Sequence, residues 1–306
     1  MSSQPAQADQ QAATLDTGFT KLSNSNLYLH SLALTWRSRT GMIGIVLVSF
    51  FVLIALAAPL VAPSDPTYQF RGEELQDPSF NHLMGTDQLG RDLLSRVIYG
   101  ARVSLAAGVL AVSVGASVGI TSGLIAGYNN EKFIGVVIMR LYDGLLTFPG
   151  ILLAISLVTA LGPGLFNVAL AIGIAQSPLD ARLTRSIVLA QRENDYVVAA
   201  RSLGASGNRI VLSHILPNTL PMLMVQLGLS IGGAILAEGG LSFLGLGVRP
   251  PMPSWGGMLN DSRPYMYEMP WYTIWPGLAL GILLLGINFL SDALRDALDP
   301  KHTARR

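Results

Sequence analysis

Glu238 is the residue whose position best suits polar chemistry within an apolar segment. It follows a charge-free run from Ile215 to Ala237 and precedes two glycines. An ionised side chain at the centre of a bilayer costs at least about 2.5 kcal/mol, and such residues often mark a substrate or ion path. A carboxylate that accepts hydrogen bonds from backbone amides at a helix break explains this residue equally well. Both interpretations of Glu238 stay open at this stage.

Enzymatic and metal chemistry find little support in the other side chains. The chain has no cysteine, so thiolate catalysis, disulfides and cysteine-ligated metals are excluded. Its four histidines are far apart in the sequence, which argues against a histidine-rich metal site. The sequence contains no Gly-x4-Gly-Lys-Ser/Thr phosphate loop and no convincing Ser-His-Asp arrangement. We therefore assign no catalytic residue, metal or cofactor to this chain, and any nucleotide site has to lie on a separate protein.

Composition places the chain in a lipid bilayer. Half of its 306 residues are hydrophobic, 13% are charged, and the mean hydropathy is +0.46. Soluble domains contain roughly 25% charged residues, so a soluble enzyme is nearly excluded. The 20 basic residues are balanced by 19 acidic ones, which gives no basic field to attract nucleic acid.

Long runs without charges predict an all-α protein with six transmembrane helices, since a span needs about 20 apolar residues. One run is interrupted by the turn sequence Leu-Gly-Pro-Gly at 161–164, and we divide it there into two helices. The third span carries Arg140 and Asp143, whose spacing suits an ion pair on one helical face. The predicted spans are about 41–62, 103–127, 134–160, 165–182, 218–240 and 270–291.

Basic residues near the span ends predict that both termini are cytoplasmic, because cytoplasmic loops are enriched in Lys and Arg. Residues 1–26 are polar and predict a disordered cytoplasmic tail. Residues 27–102 are expected to hold the first span and an outer amphipathic segment. Residues 103–292 would form the main transmembrane domain with a cytoplasmic loop at 180–217, and 293–306 a C-terminal cytoplasmic tail.

The outer segment before the second span has the pattern of an interfacial helix. Thr86 or Asp87 is suited to cap this helix. We interpret Arg91, Asp92 and Arg96 as a salt-bridged or headgroup-facing set. The expected apolar face comprises Leu89, Leu93, Leu94, Val97 and Ile98.

Small residues recur at every fourth position of the second span. Such a stripe lets two helix backbones approach closely in lipid, where burial of apolar area does not drive association. A tight helix contact is therefore predicted, with a partner helix in this chain or in another. The stripe comprises Ala107, Ala111, Gly115, Gly119, Gly123 and Gly127.

The loop at 180–217 mixes apolar residues and helix formers, and glycines interrupt it. Two short helices joined at 205–208 are expected on the cytoplasmic surface. An amphipathic helix that touches lipid headgroups fits the same periodicity.

Within this loop, Val-Ala-Ala-Arg-Ser-Leu-Gly at 198–204, followed after nine residues by His-Ile-Leu-Pro at 214–217, resembles the cytoplasmic signature of ABC-importer permeases. That signature reads Glu-Ala-Ala-x3-Gly-x9-Ile-x-Leu-Pro. Val198 and His214 depart from it, so the role of an acid at position 198 is not carried over. In that family the loop docks in a groove of the ATPase subunit. The resemblance implies contact with an ATPase through Ala199, Ala200 and Gly204. The neighbouring Arg192, Asp195 and Arg201 are suited to add ionic contacts, and a solvated charged face explains these three residues equally well.

Three further segments narrow the resemblance. Residues 82–105, 241–259 and 294–300 are similar to the corresponding segments of dipeptide and oligopeptide importer permeases. Together they identify the C-type permease of the peptide, nickel and glutathione importer group, over the chain from about residue 30 onward. The resemblance implies the type I ABC importer permease fold in the cytoplasmic (inner) membrane and ATP-driven uptake. Peptides are the favoured substrate, while nickel complexes, glutathione and sugars stay open.

The same resemblance implies a set of partners. These are a second homologous permease, two ABC ATPase subunits that bind ATP and Mg²⁺, and an extracytoplasmic substrate-binding protein. The competing class is a secondary transporter driven by an ion gradient. Such a protein is expected to have more spans, an internal repeat and broken helices at the midplane. Six spans without a visible repeat argue against that class.

Overall fold

The computed structural model describes Trp36 and residues 38–298, and nearly all of this part of the chain is helical. Residues 38–298 contain no β-strand, and their one isolated β-bridge joins Thr86 to Asp92. The prediction of an all-α fold is confirmed. The tail predicted at 1–26 lies outside the described residues, as do residues 299–306 of the predicted C-terminal tail.

Ten helices account for most of the described chain, and a turn of π-helix joins α7 to α8 at Val211–Ile215. The ten helices are α1 (Arg39–Val61), α2 (Leu93–Tyr128), α3 (Phe133–Leu145), α4 (Gly150–Leu161), α5 (Leu165–Arg192), α6 (Asp195–Ser202), α7 (Gly207–Ile210), α8 (Leu216–Phe243), α9 (Trp255–Ser262) and α10 (Pro270–Leu298).

Helix α2 begins later than the cap predicted for the outer segment. Asp92 is its N-cap and accepts a hydrogen bond of 2.8 Å from the backbone nitrogen of Ser95. The prediction that Thr86 or Asp87 caps a helix is wrong, because Gly85 and Gly90 adopt φ values of +83° and +69° that a helix excludes. At 36 residues, α2 is about 54 Å long and exceeds the hydrocarbon core of about 30 Å.

The third predicted span is not one helix. Helices α3 and α4 meet at an angle of 89°. Pro149 lacks an amide hydrogen and disfavours helical geometry at Phe148, so the apolar run breaks at that point. The expected pair of Arg140 with Asp143 is also wrong. Asp143 instead accepts a hydrogen bond of 2.7 Å from Nη2 of Arg182 in α5.

Four helical segments of the described chain are long and apolar enough to cross a bilayer. A bent pair of α3 and α4 would make a fifth span. The predicted span at 165–182 lies within α5, which continues into a polar second half and is not among the four. A polytopic membrane fold is confirmed, whereas the count of six and the cytoplasmic termini stay predictions. The four segments are Arg39–Val61, Leu93–Tyr128, Gly207–Phe243 and Pro270–Ala297.

Helix α2 is central to the packing. It lies along α5 over most of its length, and it also contacts α1 and α8. One hydrophobic cluster joins α1, α2, α9 and α10 around Trp255 and Tyr272, both fully buried. A second joins α2, α4, α5 and α8, and a third joins the end of α2 to α5, α6 and α7. The helix pair α2–α5 thus connects the outer segment to the surface loop at the other end of the bundle.

Candidate functional site

The surface segment from α6 to the π-turn is anchored by one apolar face. Val197 and Ile215 have no exposed surface, and Ile210 has 1%. They pack with Leu124 near the end of α2 and with Val188 near the end of α5. The loop contains one separate short helix, α6, whereas α7 continues through the π-turn into α8 and the residues up to Arg192 continue α5, so the expectation of two separate short helices is wrong. This segment therefore packs directly against the ends of α2 and α5.

The opposite face of α6 is not covered by any of the residues that the structure describes. Asp195, Ala199, Arg201 and Gly204 are all exposed, and Leu203 exposes 88% of its surface. An apolar side chain that is nearly fully exposed beyond the membrane helices is a candidate contact for another protein.

Three of the sequence-predicted loop residues have roles within the chain. Ala200 is buried in the apolar anchor and is not part of the exposed face. Gly204 adopts φ +79°, and no atom lies within 4 Å of a Cβ placed there, so the backbone turn alone favours glycine. Arg192 lies 3.3 Å from Glu131 in the α2–α3 connection and 3.3 Å from Glu193.

The small-residue stripe of α2 faces α5 of the same chain. A Cβ placed on Gly119 would lie 2.7 Å from the carbonyl oxygen of Ser177 and 2.7 Å from Cβ of Asp180. A Cβ on Gly123 would lie 2.6 Å from the carbonyl oxygen of Ala181. A Cβ on Gly127 would lie 2.7 Å from Cβ of Val188, and a Cβ on Gly115 would lie 3.1 Å from the carbonyl oxygen of Gly173. At Gly119, Gly123 and Gly127 the two helices are therefore too close for a side chain on α2.

Glu238 is fully buried between α2 and α8. Its Oε1 accepts a hydrogen bond of 2.6 Å from Ser242, and its Oε2 accepts one of 3.3 Å from Ser104. Helix α8 runs on to Phe243, so the interpretation of a helix break with freed amides is wrong. Two serine hydroxyls solvate the carboxyl instead, and the contact with Ser104 ties α8 to α2.

Asp180 is a second buried acid, and sequence reasoning assigned it only to the start of a loop. It lies in α5 against Gly115 and Gly119 and exposes 3% of its surface. Its carboxyl interacts with Gln176, but neither oxygen makes a hydrogen bond of normal geometry within the described part of the chain. The signal was available in the sequence, since Asp180 directly follows the charge-free run that ends at Leu179.

The outer segment is held by buried ion pairs. Asp87 is fully buried, and its Oδ2 lies 2.6 Å from Nε of Arg91 and 3.3 Å from Nε of Arg96. Its Oδ1 accepts hydrogen bonds from the backbone nitrogens of Leu89 and Arg91. Arg91 and Arg96 are therefore salt-bridged to one shared carboxylate, while Asp92 serves as the cap of α2.

His82 links two carboxylates in the same segment. Its Nδ1 lies 3.0 Å from Asp92 and its Nε2 lies 2.8 Å from Glu73. Burial lowers the pKa of His82, but the hydrogen bonds and charges of Asp92 and Glu73 outweigh it and raise the pKa above 6.5. A protonated ring donates to both carboxylates, so His82 stabilises the cap of α2.

The described chain is thus a bundle of helices able to cross a membrane, with a folded surface segment anchored to its central pair. Residues 119–303 match the family of the binding-protein-dependent transport system inner membrane component. Residues 36–78 match the N-terminal transmembrane domain of oligopeptide transport permease C. This chain belongs to the binding-protein-dependent transport system inner membrane component family, and it is a multi-pass membrane protein.

Relatives with 43–46% identity support the same assignment. The dipeptide transport system permease protein DppC of Alkalihalophilus pseudofirmus is 44% identical over 87% of each chain. The di/tripeptide permease protein DppC of Pseudomonas aeruginosa is 46% identical over 84% of this chain and 87% of its own. The glutathione permease protein GsiD of Escherichia coli O157:H7 is 44% identical over 87% of this chain and 88% of its own.

A solved structure supports the fold independently. A chain of the inward-facing MetNI methionine ABC transporter aligns with a TM-score of 0.56 and 17% identity, over 67% of this chain and 97% of that chain. At this identity the likeness concerns the fold alone. The expected ABC importer permease fold is confirmed.

Proposed function

We propose that this chain is the C-type permease subunit of an ATP-driven importer, and that it translocates dipeptides, oligopeptides or a related small solute such as glutathione. The single observation that carries the proposal is the similarity to dipeptide and glutathione permeases over most of the chain. The partners proposed are a second homologous permease, two ATPase subunits that bind ATP and Mg²⁺, and an extracytoplasmic substrate-binding protein.

The exposed face of α6 is proposed as the contact for an ATPase subunit. It presents Asp195, Ala199, Arg201 and Gly204 beside the exposed side chain of Leu203. Ala200 would support this contact from the buried side, and Arg192 would brace the turn before α6 through Glu131. Because the opposite face is packed on α2 and α5, a shift of α6 would be passed to these two helices.

The stripe from Gly115 to Gly127 is proposed to make α2 and α5 move as one body. Close backbone contact leaves little freedom for the helices to slide. Glu238 is proposed to line the translocation path when α2 and α8 separate, since it is fully buried between them in this conformation.

An ion-gradient-driven secondary transporter is the second candidate. One observation favours it, since the bend of 89° between α3 and α4 is of the kind found in the broken helices of such transporters. The family membership of the chain favours the importer.

The test is recovery of partners from native membranes with the Gly204→Trp variant and a matched control. Gly72→Trp is the control, because Gly72 also has a positive φ of +82° and no atom within 4 Å of a Cβ. We expect an ATPase and a second permease to accompany the unmodified chain and Gly72→Trp, and the ATPase to be lost with Gly204→Trp. Recovery of the chain alone from transport-active membranes would favour the secondary transporter, and an ATPase retained by Gly204→Trp would refute the coupling surface.

A further inference from the structure

A small, partly open cavity lies where the beginning of α2, the end of α8, the α8–α9 connection and helix α9 meet. Its volume is about 170 Å³, room for a small polar group with a short side chain. It lies at the end of the bundle that is predicted to face outward. The polar residues among its lining are Arg91, Arg96, Ser242, Ser254, Asn260 and Asp261.

The two arginines bring unused hydrogen-bond donors to this cavity. Each exposes only 3% of its surface. Nε of Arg91 donates to Asp87, and its two Nη atoms have no hydrogen-bond partner among residues 38–298. Nη1 of Arg96 donates to the carbonyl oxygens of Pro66 and Pro251 at 3.1 and 3.5 Å, whereas its Nη2 has no such partner in the same range.

The cationic side chains at the cavity outnumber the carboxylates that form ion pairs with them. Two guanidinium groups share one carboxylate, that of Asp87. Asp261 lies on another wall, and no ion pair within 4.0 Å joins it to either arginine in the described chain. Burial raises the pKa of Asp261 against the opposing effect of the two arginines. Two buried cations that share one carboxylate are incompletely paired, and a bound anion would complete the pairing.

We infer that this cavity binds the carboxylate of a small solute, with the guanidinium groups of Arg91 and Arg96 as donors. The planar fork of an arginine matches the two oxygens of a carboxylate. Identification of this solute as a peptide, bound by its C-terminal carboxylate, rests on the proposed function. The amide of Asn260 and the carboxyl of Asp261 are suited to contact the adjoining peptide bond.

The position of the cavity suits an entry site. Ser242 lines the cavity and also donates its hydroxyl hydrogen to Glu238. The cavity is thus one helical turn of α8 away from the buried acid between α2 and α8. A solute held by Arg91 and Arg96 would be placed at the outer end of the helix contact that has to open for transport.

The experiment measures binding of dialanine to the full-length chain in lipid nanodiscs by the shift of its unfolding temperature. Dialanine is expected to raise this temperature, and the dialanine C-terminal amide is not. Arg91→Lys keeps the charge beside Asp87 but loses the fork, so the affinity is expected to fall roughly tenfold. Asn260→Leu fills the cavity without breaking an ion pair and is expected to abolish the shift. Arg102→Gln removes an exposed cation close by and should bind as the unmodified chain does.

Several results would overturn this inference. They are no shift with dialanine, an equal shift with its amide, or unchanged binding in Asn260→Leu. If Arg91→Lys does not fold, Asn260→Leu still decides the question. If the cavity binds only an acidic side chain of the substrate-binding protein, dialanine has no effect on the unfolding temperature, while Asn260→Leu weakens binding of the substrate-binding protein. Binding is measured without ATP or an ATPase, so a failure here is distinct from a failure of ATP-driven uptake.

Discussion

Replacement of Gly119 by alanine tests the contact between α2 and α5. The added methyl group would lie 2.7 Å from the carbonyl oxygen of Ser177 and 2.7 Å from Cβ of Asp180. An ordinary contact begins at 3.4 Å, so the helices would have to separate by about 0.7 Å at this point. Overpacking of this kind costs about 1–3 kcal/mol. Because both close atoms belong to the backbone or to its first side-chain carbon, a rotamer change cannot relieve the clash.

The assay is the free energy of unfolding of the purified chain in mixed detergent micelles, followed by circular dichroism. Gly144→Ala is the matched control, because Gly144 is also helical and no atom lies within 4 Å of a Cβ placed there. The control is expected to be stabilised by about 0.5–1 kcal/mol, since alanine loses less conformational freedom than glycine. The two variants should therefore change stability in opposite directions.

A larger side chain at the same position extends the test to function. We expect Gly119→Leu to prevent assembly and uptake, because leucine needs a still wider gap between α2 and α5. Full assembly and transport by Gly119→Leu, or a Gly119→Ala variant as stable as Gly144→Ala, would refute the idea that these two helices form one rigid body.

Three further substitutions test single side chains. Because the pKa of His82 is raised in the folded chain, its stabilising effect is full below about pH 6.5 and is lost as the pH rises through the folded pKa. The unfolding temperature of the unmodified chain should therefore fall over that rise in pH, whereas that of His82→Gln should not. Equal pH profiles of the two proteins would contradict this. Asp180→Asn should raise the unfolding temperature, because it removes a buried carboxyl without a well-formed hydrogen bond, and a lower temperature would show that the carboxyl has an undetected partner. Glu238→Gln should leave stability within about 1 kcal/mol, since an amide can still bond both serines, and unchanged uptake would remove Glu238 from the translocation path.

The sequence predicts those parts of the fold that depend on local rules. The cost of a charge in lipid is the same wherever the chain runs, so charge-free intervals locate α1 and α8 within a few residues, whereas α10 continues past the predicted end at 291 to Leu298. The bend between α3 and α4 was missed although Pro149 signals it, because the apolar run continues across the proline. The start of α2 was missed because Asp87 is held by Arg91 and Arg96 and is not available as a cap.

In the candidate sites, too, local sequence patterns predict some features, and contacts between distant parts of the chain decide the others. A period of four identifies the small-residue stripe, but the identity of its partner helix depends on contacts between residues far apart in the chain. The same holds for Arg192, whose partner Glu131 is 61 positions away, and for Arg182 with Asp143, 39 positions apart. Periodicity shows which face of a helix carries the small residues, and only the folded chain shows which element packs against that face.

These contacts form one continuous connection along the bundle. Val197 and Ile215 in the surface segment pack on the ends of α2 and α5, and the glycine stripe joins these helices along their length. At the far end, Ser104 of α2 meets Glu238 of α8, which is bonded to Ser242 at the wall of the arginine-lined cavity. If α6 is displaced by a partner, the least deformable route leads through the α2–α5 pair to the Ser104–Glu238 contact. That contact is one hydrogen bond of 3.3 Å, and apolar packing of Ala111 with Ala234 joins the same two helices.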